Sequence, residues 1–253
     1  MQNELVDVIW GKNSVLEALS AGNREINKIF ISKTLHSDTK LNTIKDLAKE
    51  KGIVFQFVGK DKFQPYAEFN HQGILAFVSP VQYADFDEFL KKPHQNSSLV
   101  ILDGVEDAHN LGAIIRTCVC AGVDAIMIPS RRNVQVSSIV EKTSAGAVNH
   151  IPIIKVNSLV NAVQKLKESN WWVIAADAHA KDNYFDVDYT DMNFALIMGA
   201  EHAGVSKSLL NASDYIVKIP MLKNFNSLNV SNALSAIIFE TVRQRIRKEM
   251  SKK

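Results

Sequence analysis

Three segments in the second half of the chain combine glycine, amide, hydroxyl and charged side chains at the ends of short apolar runs. The segments are residues 110–116, 198–204 and 219–231, and the apolar runs before them are 99–102, 195–198 and 215–219. An apolar run of this length that ends at Gly, Asn or Pro is typical of a buried parallel strand leading into a loop. In open α/β sheets, ligands bind beyond the carboxyl ends of such strands. The sequence therefore predicts one pocket formed by three strand ends.

The first segment contains two residues that could act in such a pocket. Asn is a favoured helix cap, so Asn110 is interpreted as marking the start of a helix. Arg116 follows on the same helix, among mostly apolar residues, where a guanidinium group needs an anionic partner or a polar pocket. A structural salt bridge is the alternative explanation for Arg116.

The other two segments offer backbone groups as well as side chains. Gly199 permits close approach of a ligand to the backbone, although the segment is not a dinucleotide-binding GxGxxG motif. Glu201 is interpreted either as a helix cap or as an acceptor for a backbone amide. In the third segment, Ser227, Asn229 and Ser231 precede a long apolar helix and exceed what one cap requires. Backbone amides at this helix start are suited to an adenine or a carboxylate.

Composition excludes several classes of protein. The chain has 253 residues, 46% of them hydrophobic, and a formal net charge of only +2. No apolar run approaches the roughly 18 residues of a membrane span, and the start does not resemble a secretory signal, so we expect a cytoplasmic protein. Cys118 and Cys120 have neither zinc-site nor redox-motif spacing and are predicted to be small core residues. The sequence contains no cluster of His, Cys and carboxylate side chains that would predict a metal site.

The order of predicted elements indicates an α/β protein with two domains. Residues 1–79 predict a small α/β domain, residues 80–98 a polar linker, and residues 99–253 a larger domain. In the larger domain, short apolar strands alternate with amphipathic helices, which is typical of a mostly parallel sheet wrapped by helices.

The three segments, in this order and near these spacings, resemble the signature motifs of the SPOUT superfamily, and more narrowly those of SpoU-type RNA ribose 2'-O-methyltransferases. Residues 11–19 and 71–74 resemble the small ribosomal-protein-like RNA-binding domain of the branch that methylates a guanosine of large-subunit (23S) ribosomal RNA. The chain departs from this pattern at two places. Asn226 stands where relatives often have Ser, and Lys12 stands where Arg is common, which keeps the charge but loses bidentate geometry.

The resemblance implies a parallel sheet with a trefoil knot, S-adenosylmethionine as cofactor, and a homodimer. Under it, Gly199, Ile219 and Leu228 contact the adenosine through backbone groups, flanked by Met198, Ala200, Pro220 and Met221. The polar catalytic wall consists of Asn110, Arg116, Glu201, Ser227 and Asn229. In the first domain the RNA contacts are Lys12, Asn13, His71 and Gln72, although caps and a turn would also explain these four residues.

The expected reaction is methyl transfer to a ribose 2'-hydroxyl, without a metal. Arg116 is the family candidate for activating that hydroxyl. Because guanidinium normally stays protonated, it suits electrostatic stabilisation of the alkoxide better than removal of the proton. The expected partner is 23S ribosomal RNA or a ribosome precursor. Three alternatives stay open: a transfer RNA substrate, a non-catalytic RNA-binding protein on the same fold, and a nucleotide-dependent oxidoreductase.

Overall fold

The computed structural model describes residues 7–223 and 227–252. The chain forms two compact units: unit 1 comprises Met1–Gln82 and Val136–His150, and unit 2 comprises Tyr83–Gln135 and Ile151–Lys253. In chain order the strands and helices are β1 (Asp7–Trp10), α1 (Lys12–Ala21), β2 (Ile26–Ser32), α2 (Thr39–Glu50), β3 (Val54–Val58), β4 (Ile74–Val78), α3 (Phe86–Leu90), β5 (Ser98–Asp103), α4 (Ala108–Ala121), β6 (Ala125–Pro129), α5 (Ser138–Thr143), β7 (Ile153–Val156), α6 (Leu159–Glu168), β8 (Trp172–Ala176), β9 (Asp182–Asn183), β10 (Phe194–Gly199), α7 (Lys207–Ala212), β11 (Tyr215–Lys218) and α8 (Val230–Met250).

Unit 1 is built on a four-stranded sheet in the order β1-β4-β2-β3. Strand β4 is antiparallel to β1 and β2, whereas β2 and β3 are parallel. Helices α1 and α2 bury residues three and four positions apart, among them Val15, Leu19, Leu41 and Ile44, in one apolar cluster with the sheet. Asp38 caps α2 by accepting a hydrogen bond from the Leu41 amide at 2.8 Å.

A smaller aromatic cluster covers other residues of the same sheet. Trp10, Phe63 and Leu75 are buried together, and the rings of Trp10 and Phe69 stack with centroids 4.1 Å apart. Phe63 belongs to a 3₁₀ helix, Lys60–Tyr66, which follows β3.

Helix α5 packs with unit 1 although it lies far along the chain. Glu141 on α5 is fully buried and accepts hydrogen bonds from Arg24 at 3.1 Å and from Asn149 at 2.5 Å. Arg24 also donates to Asp7 at 2.8 Å. Burial raises the pKa of Glu141 to about 7, against the opposing attraction of Arg24. The sequence predicted that this segment belongs to the second domain, because a buried ion pair between residues distant in the chain leaves no local signal.

Unit 2 is built on a seven-stranded sheet in the order β7-β6-β5-β10-β8-β11-β9, and every described pairing in it is parallel. Strands β5, β10 and β11 coincide, within one residue at each end, with the apolar runs 99–102, 195–198 and 215–219. The two-residue strand β9 was not predicted, since it has no apolar run of its own. The expected α/β class with a parallel sheet is therefore confirmed.

Helices cover the sheet of unit 2 through separate contacts. Helices α3, α6 and α7 contribute to one apolar cluster with the strands, and α4 packs against α8. Phe86 and Phe89 of α3 are buried in that cluster, so residues predicted as part of a linker pack within unit 2. Phe86, Phe89 and Leu90 have helical spacing, but this helix, capped by Asp85, has only five residues and so gives a weak signal in the sequence.

Among residues 7–223 and 227–252, no helix is long and apolar enough to span a membrane.

Candidate active site

The three predicted segments meet at one edge of the sheet of unit 2. Strands β5 and β10 pair directly, with Gly199 opposite Asp103 at their carboxyl ends. Strand β11 pairs with β8, which in turn pairs with β10. Because these strands are parallel, the loops that follow them lie at the same edge. This is the arrangement that the sequence predicted for a pocket.

The loop after β10 closes on itself. The Ala200 amide donates to the Gly204 carbonyl at 3.2 Å, and the Gly204 amide donates to the Ala200 carbonyl at 2.9 Å. A side chain at position 199 would collide with the backbone of Gly204 and Val205. Glycine is therefore required at position 199 by the loop's own closure, and not only by the approach of a ligand.

Three of the predicted catalytic residues form one hydrogen-bonded group. Nδ2 of Asn229 donates to Oε1 of Glu201 at 2.6 Å and to Oδ1 of Asn110 at 3.0 Å. Nδ2 of Asn110 donates to the same Glu201 oxygen at 3.3 Å. These residues come from α4, from the loop after β10 and from the start of α8. We call them the amide–carboxylate group.

Of the two asparagines Asn110 and Asn229, only Asn229 caps a helix. Asn229 is the N-cap of α8, because its Oδ1 accepts hydrogen bonds from the Ser231 amide at 3.0 Å and from the Ser231 hydroxyl at 2.6 Å. The interpretation of Asn110 as a cap was wrong. Helix α4 begins at Ala108, and Asp107 caps it by accepting from the His109 amide at 3.0 Å. The side chain of Asn110 is thus left for the amide–carboxylate group, as is that of Glu201, which caps no helix.

Arg116 lies six residues after Asn110 on α4, about 9 Å further along the helix axis. Its side chain is exposed and forms no hydrogen bond or ion pair with residues 7–223 or 227–252. The alternative of a structural salt bridge therefore finds no partner in the part of the chain that the structure describes. A free guanidinium remains available for an anion.

A cavity of about 290 Å³ lies at the carboxyl ends of β8, β10 and β11. Eight predicted site residues line it: Met198, Gly199, Ala200, Glu201, Ile219, Met221, Ser227 and Leu228. The lining does not include Asn110, Arg116, Asn229 or Pro220. Asn226 lies outside the described residues.

The prediction missed the part of the lining that follows β8. Asp177 and His179 border the cavity, and Oδ1 of Asp177 accepts a hydrogen bond from the His179 amide at 2.7 Å. The strand-end rule could have found them, because the apolar run that forms β8 ends directly before Asp177. Among the described residues, no group of three or more His, Cys, Asp or Glu side chains could hold a metal ion.

The four residues predicted to contact RNA lie where α1 begins and where the chain approaches β4. The Lys12 amide donates to Oε1 of Gln72 at 3.1 Å, which brings the two sequence segments together. Lys12 Nζ forms an ion pair with Asp38 at 2.5 Å, and Asn13 accepts from Lys40 at 2.7 Å. Nδ1 of His71 accepts a hydrogen bond from a backbone amide.

Comparisons with known proteins agree with this arrangement. Residues 97–239 match the SpoU rRNA Methylase family, and residues 8–84 match the family described as RNA 2'-O ribose methyltransferase substrate binding. A protein of Staphylococcus haemolyticus (strain JCSC1435), assigned to the TrmH family of tRNA/rRNA methyltransferases, is 40% identical over 241 residues, which cover 94% of this chain and 96% of that protein.

Two solved structures show the same fold. The SpoU methyltransferase AviRb from Streptomyces viridochromogenes, in complex with the cofactor AdoMet, superposes with a TM-score of 0.81 at 22% identity, covering 96% of this chain and 91% of AviRb. The AdoMet-bound rRNA methyltransferase from Sinorhizobium meliloti gives a TM-score of 0.79 at 23% identity, covering 94% of this chain and 87% of that one. With the family match over more than half of the chain, these findings confirm the resemblance: the chain belongs to the SpoU rRNA methylase family and is an RNA methyltransferase.

Proposed function

We propose that the chain transfers a methyl group from S-adenosylmethionine to the 2'-hydroxyl of a guanosine ribose in 23S ribosomal RNA. The observation that carries this proposal is the amide–carboxylate group beside a cavity at the strand ends of unit 2. This geometry, in a chain of the SpoU family, favours catalysis over RNA binding alone.

The residues of the cavity fit S-adenosylmethionine. Met198, Leu228 and Ile237 offer apolar surface suited to an adenine, while backbone groups of the loops after β10 and β11 offer polar contacts. Glu201 and Asp177 place carboxylates at the cavity, which suit a ligand that carries a sulfonium and an ammonium group. When bound, the cofactor supplies the electrophilic methyl group. Two of the structures with the same fold contain AdoMet, which supports the choice of cofactor.

The predicted catalytic side chains have separate roles under this proposal. Arg116, with its free guanidinium, stabilises negative charge that develops on the ribose 2'-oxygen. The proton of that hydroxyl passes to water or to an RNA phosphate, because Arg116 stays protonated. The amide–carboxylate group fixes the loop after β10 against the start of α8. Ser227, which lines the cavity, is a further polar contact for the substrates.

We propose the division of labour predicted from the sequence, within the bounds that the structure gives: unit 1 binds RNA and unit 2 carries catalysis. Lys12, Asn13, His71 and Gln72 are the proposed RNA contacts. The proposed homodimer is supported by three large apolar side chains exposed on α8: Phe239, Ile246 and Met250. The trefoil knot remains a prediction.

A transfer RNA substrate is the second candidate. The observation in its favour is the assignment of the Staphylococcus haemolyticus relative to tRNA/rRNA methyltransferases. The small domain that precedes the catalytic one favours ribosomal RNA.

The test is transfer of radiolabelled methyl groups from S-adenosylmethionine to ribosomal RNA from cells lacking this protein, with bulk transfer RNA in parallel. We expect label in large-subunit ribosomal RNA. Label in transfer RNA alone would keep the reaction and refute the proposed substrate. Absence of label in both, with cofactor still bound, would refute the proposed reaction on free RNA.

A further inference from the structure

Unit 1 contains a cavity of about 710 Å³ that is lined entirely by its own residues. This volume is within the range of small-molecule sites. The cavity lies where β2 ends, since Ser32 closes that strand and also lines the cavity. The 3₁₀ helix Lys60–Tyr66 provides a second wall, and the chain entering β4 provides a third through His71 and Gly73.

Part of the wall is apolar and aromatic. Phe63 is 5% exposed, and Leu35 and Ala67 line the cavity with it. The ring of His71 lies close to that of Phe63, with centroids 4.7 Å apart and planes inclined by 33°. A pair of flat rings at the wall of an open cavity suits a planar aromatic ligand.

The orientation of His71 leaves a donor for such a ligand. Nδ1 of His71 accepts a hydrogen bond from the Gly73 amide at 2.9 Å. In a neutral imidazole the proton is then on Nε2, which becomes a donor. Among the described residues, none accepts a hydrogen bond from Nε2 of His71. The cavity thus combines ring surface with a directed N–H group.

Three further polar side chains at the cavity are available to bind a ligand. Lys60, Asp61 and Gln64 form no hydrogen bond or ion pair with residues 7–223 or 227–252. Together they supply donors and acceptors of the kind that pair with the edges of a base. Lys33 and Lys62, exposed and adjacent in sequence to lining residues, add positive charge for phosphates.

We propose that this cavity binds one unpaired nucleobase of the RNA substrate. The base lies against the ring of His71, which packs on the buried Phe63. Its edge is bound by Gln64 and its neighbours, and the flanking phosphates lie near Lys33 and Lys62. This inference rests on the proposed function, because it assumes that unit 1 binds RNA. It adds that RNA is selected through a base that is not paired.

Ala67→Trp tests the proposal, because an indole at this exposed lining position would fill the cavity. Ser20→Trp is the matched control: Ser20 is also small, neutral and exposed on a helix of unit 1, and it does not line the cavity. A second pair, Gln64→Ala against Gln56→Ala, tests the polar contact in the cavity. Gln56 is an exposed glutamine of unit 1 that does not line the cavity, so only Gln64→Ala should weaken hairpin binding.

The assay is fluorescence anisotropy of full-length protein with a labelled RNA hairpin that has a nine-nucleotide loop, and with the same stem as a fully paired duplex. We expect wild type to bind the hairpin more tightly than the duplex. Ala67→Trp should weaken hairpin binding by about 5- to 100-fold, the range for losing one stacked base, and leave duplex binding unchanged. Ser20→Trp should match wild type.

Equal loss with both RNAs in Ala67→Trp, or unchanged hairpin binding in that variant, would overturn the proposal. Cofactor affinity and methyl transfer measured on the same proteins keep the two proposals distinguishable. A protein that shows hairpin preference dependent on this cavity but transfers no methyl group refutes the proposed reaction alone. Methyl transfer that is insensitive to Ala67→Trp, with unchanged hairpin binding, refutes the nucleobase site alone.

Discussion

Replacing Asn229 by Asp separates the two roles that the structure gives to this side chain. Oδ1 of Asn229 caps α8, whereas Nδ2 donates to Glu201 at 2.6 Å and to Asn110 at 3.0 Å. Aspartate keeps the capping oxygen, because Asp and Asn are about equally good caps. It replaces the donor by an oxygen that faces the Glu201 carboxylate. The variant therefore breaks the amide–carboxylate group and retains the cap.

The expected change in stability is small. A hydrogen bond to a charged acceptor contributes about 1.5–3 kcal/mol when buried, and less here because Asn229 and Glu201 are both exposed. The carboxylate introduced by Asn229→Asp lies at the start of α8, where negative charge is favourable, and this offsets about 0.3–1 kcal/mol of that loss. We expect a net loss of about 1 kcal/mol, or roughly 2–4 °C in the melting temperature. Asn229→Ala should lose about 1 kcal/mol more, since it also removes the cap.

The expected change in activity is larger than the change in stability. If the amide–carboxylate group positions the reacting groups, Asn229→Asp should lower kcat by about 100-fold, as removal of one positioned polar group does in other enzymes. Thermal unfolding and steady-state methyl transfer measured on both variants provide the comparison. Near-normal kcat in Asn229→Asp, with a large loss in Asn229→Ala, would mean that Asn229 is only a cap and would refute the reasoning.

Three further predictions concern other parts of the chain. Arg116→Ala should lower kcat by about 100- to 1,000-fold, with little change in melting temperature, while Lys49→Ala, an equal charge change on α2, should leave kcat unchanged in the same assay. Gly199→Ala should weaken cofactor binding in calorimetry, because a side chain there collides with the loop backbone; unchanged affinity would contradict the assigned loop closure. The pKa of Glu141 is raised by burial to about 7, so the folded state binds its proton more tightly than the unfolded state does, and this carboxyl's contribution to the free energy of unfolding falls as pH rises from about 4.5 to 7. Urea unfolding at pH 5 and pH 8 should show this slope in wild type and in the exposed control Glu25→Gln, but a smaller slope in Glu141→Gln.

The sequence predicted the parallel sheet well because its strands are apolar on both faces. Runs such as 99–102 and 195–198 carry that signal within a few residues, and the pocket follows from where they end. The helix starts were less predictable. Asn110 and Asp107 are both good caps, and only the observed hydrogen bonds show which of them caps α4.

Most of the features that the sequence did not predict depend on contacts between residues far apart in the chain. The packing of residues 136–150 in unit 1 depends on Glu141 meeting Arg24, which are 117 positions apart in the chain. The contribution of the loop after β8 to the pocket depends on strand order, since β8 lies between β10 and β11. Neither fact is expressed in local periodicity, whereas the family resemblance did identify the three residues that form the amide–carboxylate group.

The most direct test of the proposed reaction is chemical identification of the methylated nucleoside. Substrate RNA from cells lacking this protein would be methylated by the purified chain, digested to nucleosides and analysed by mass spectrometry. We predict that the new methyl group is on the ribose, as 2'-O-methylguanosine. A new methyl group on a base, with none on a ribose, would contradict the proposed role of Arg116 at a 2'-oxygen.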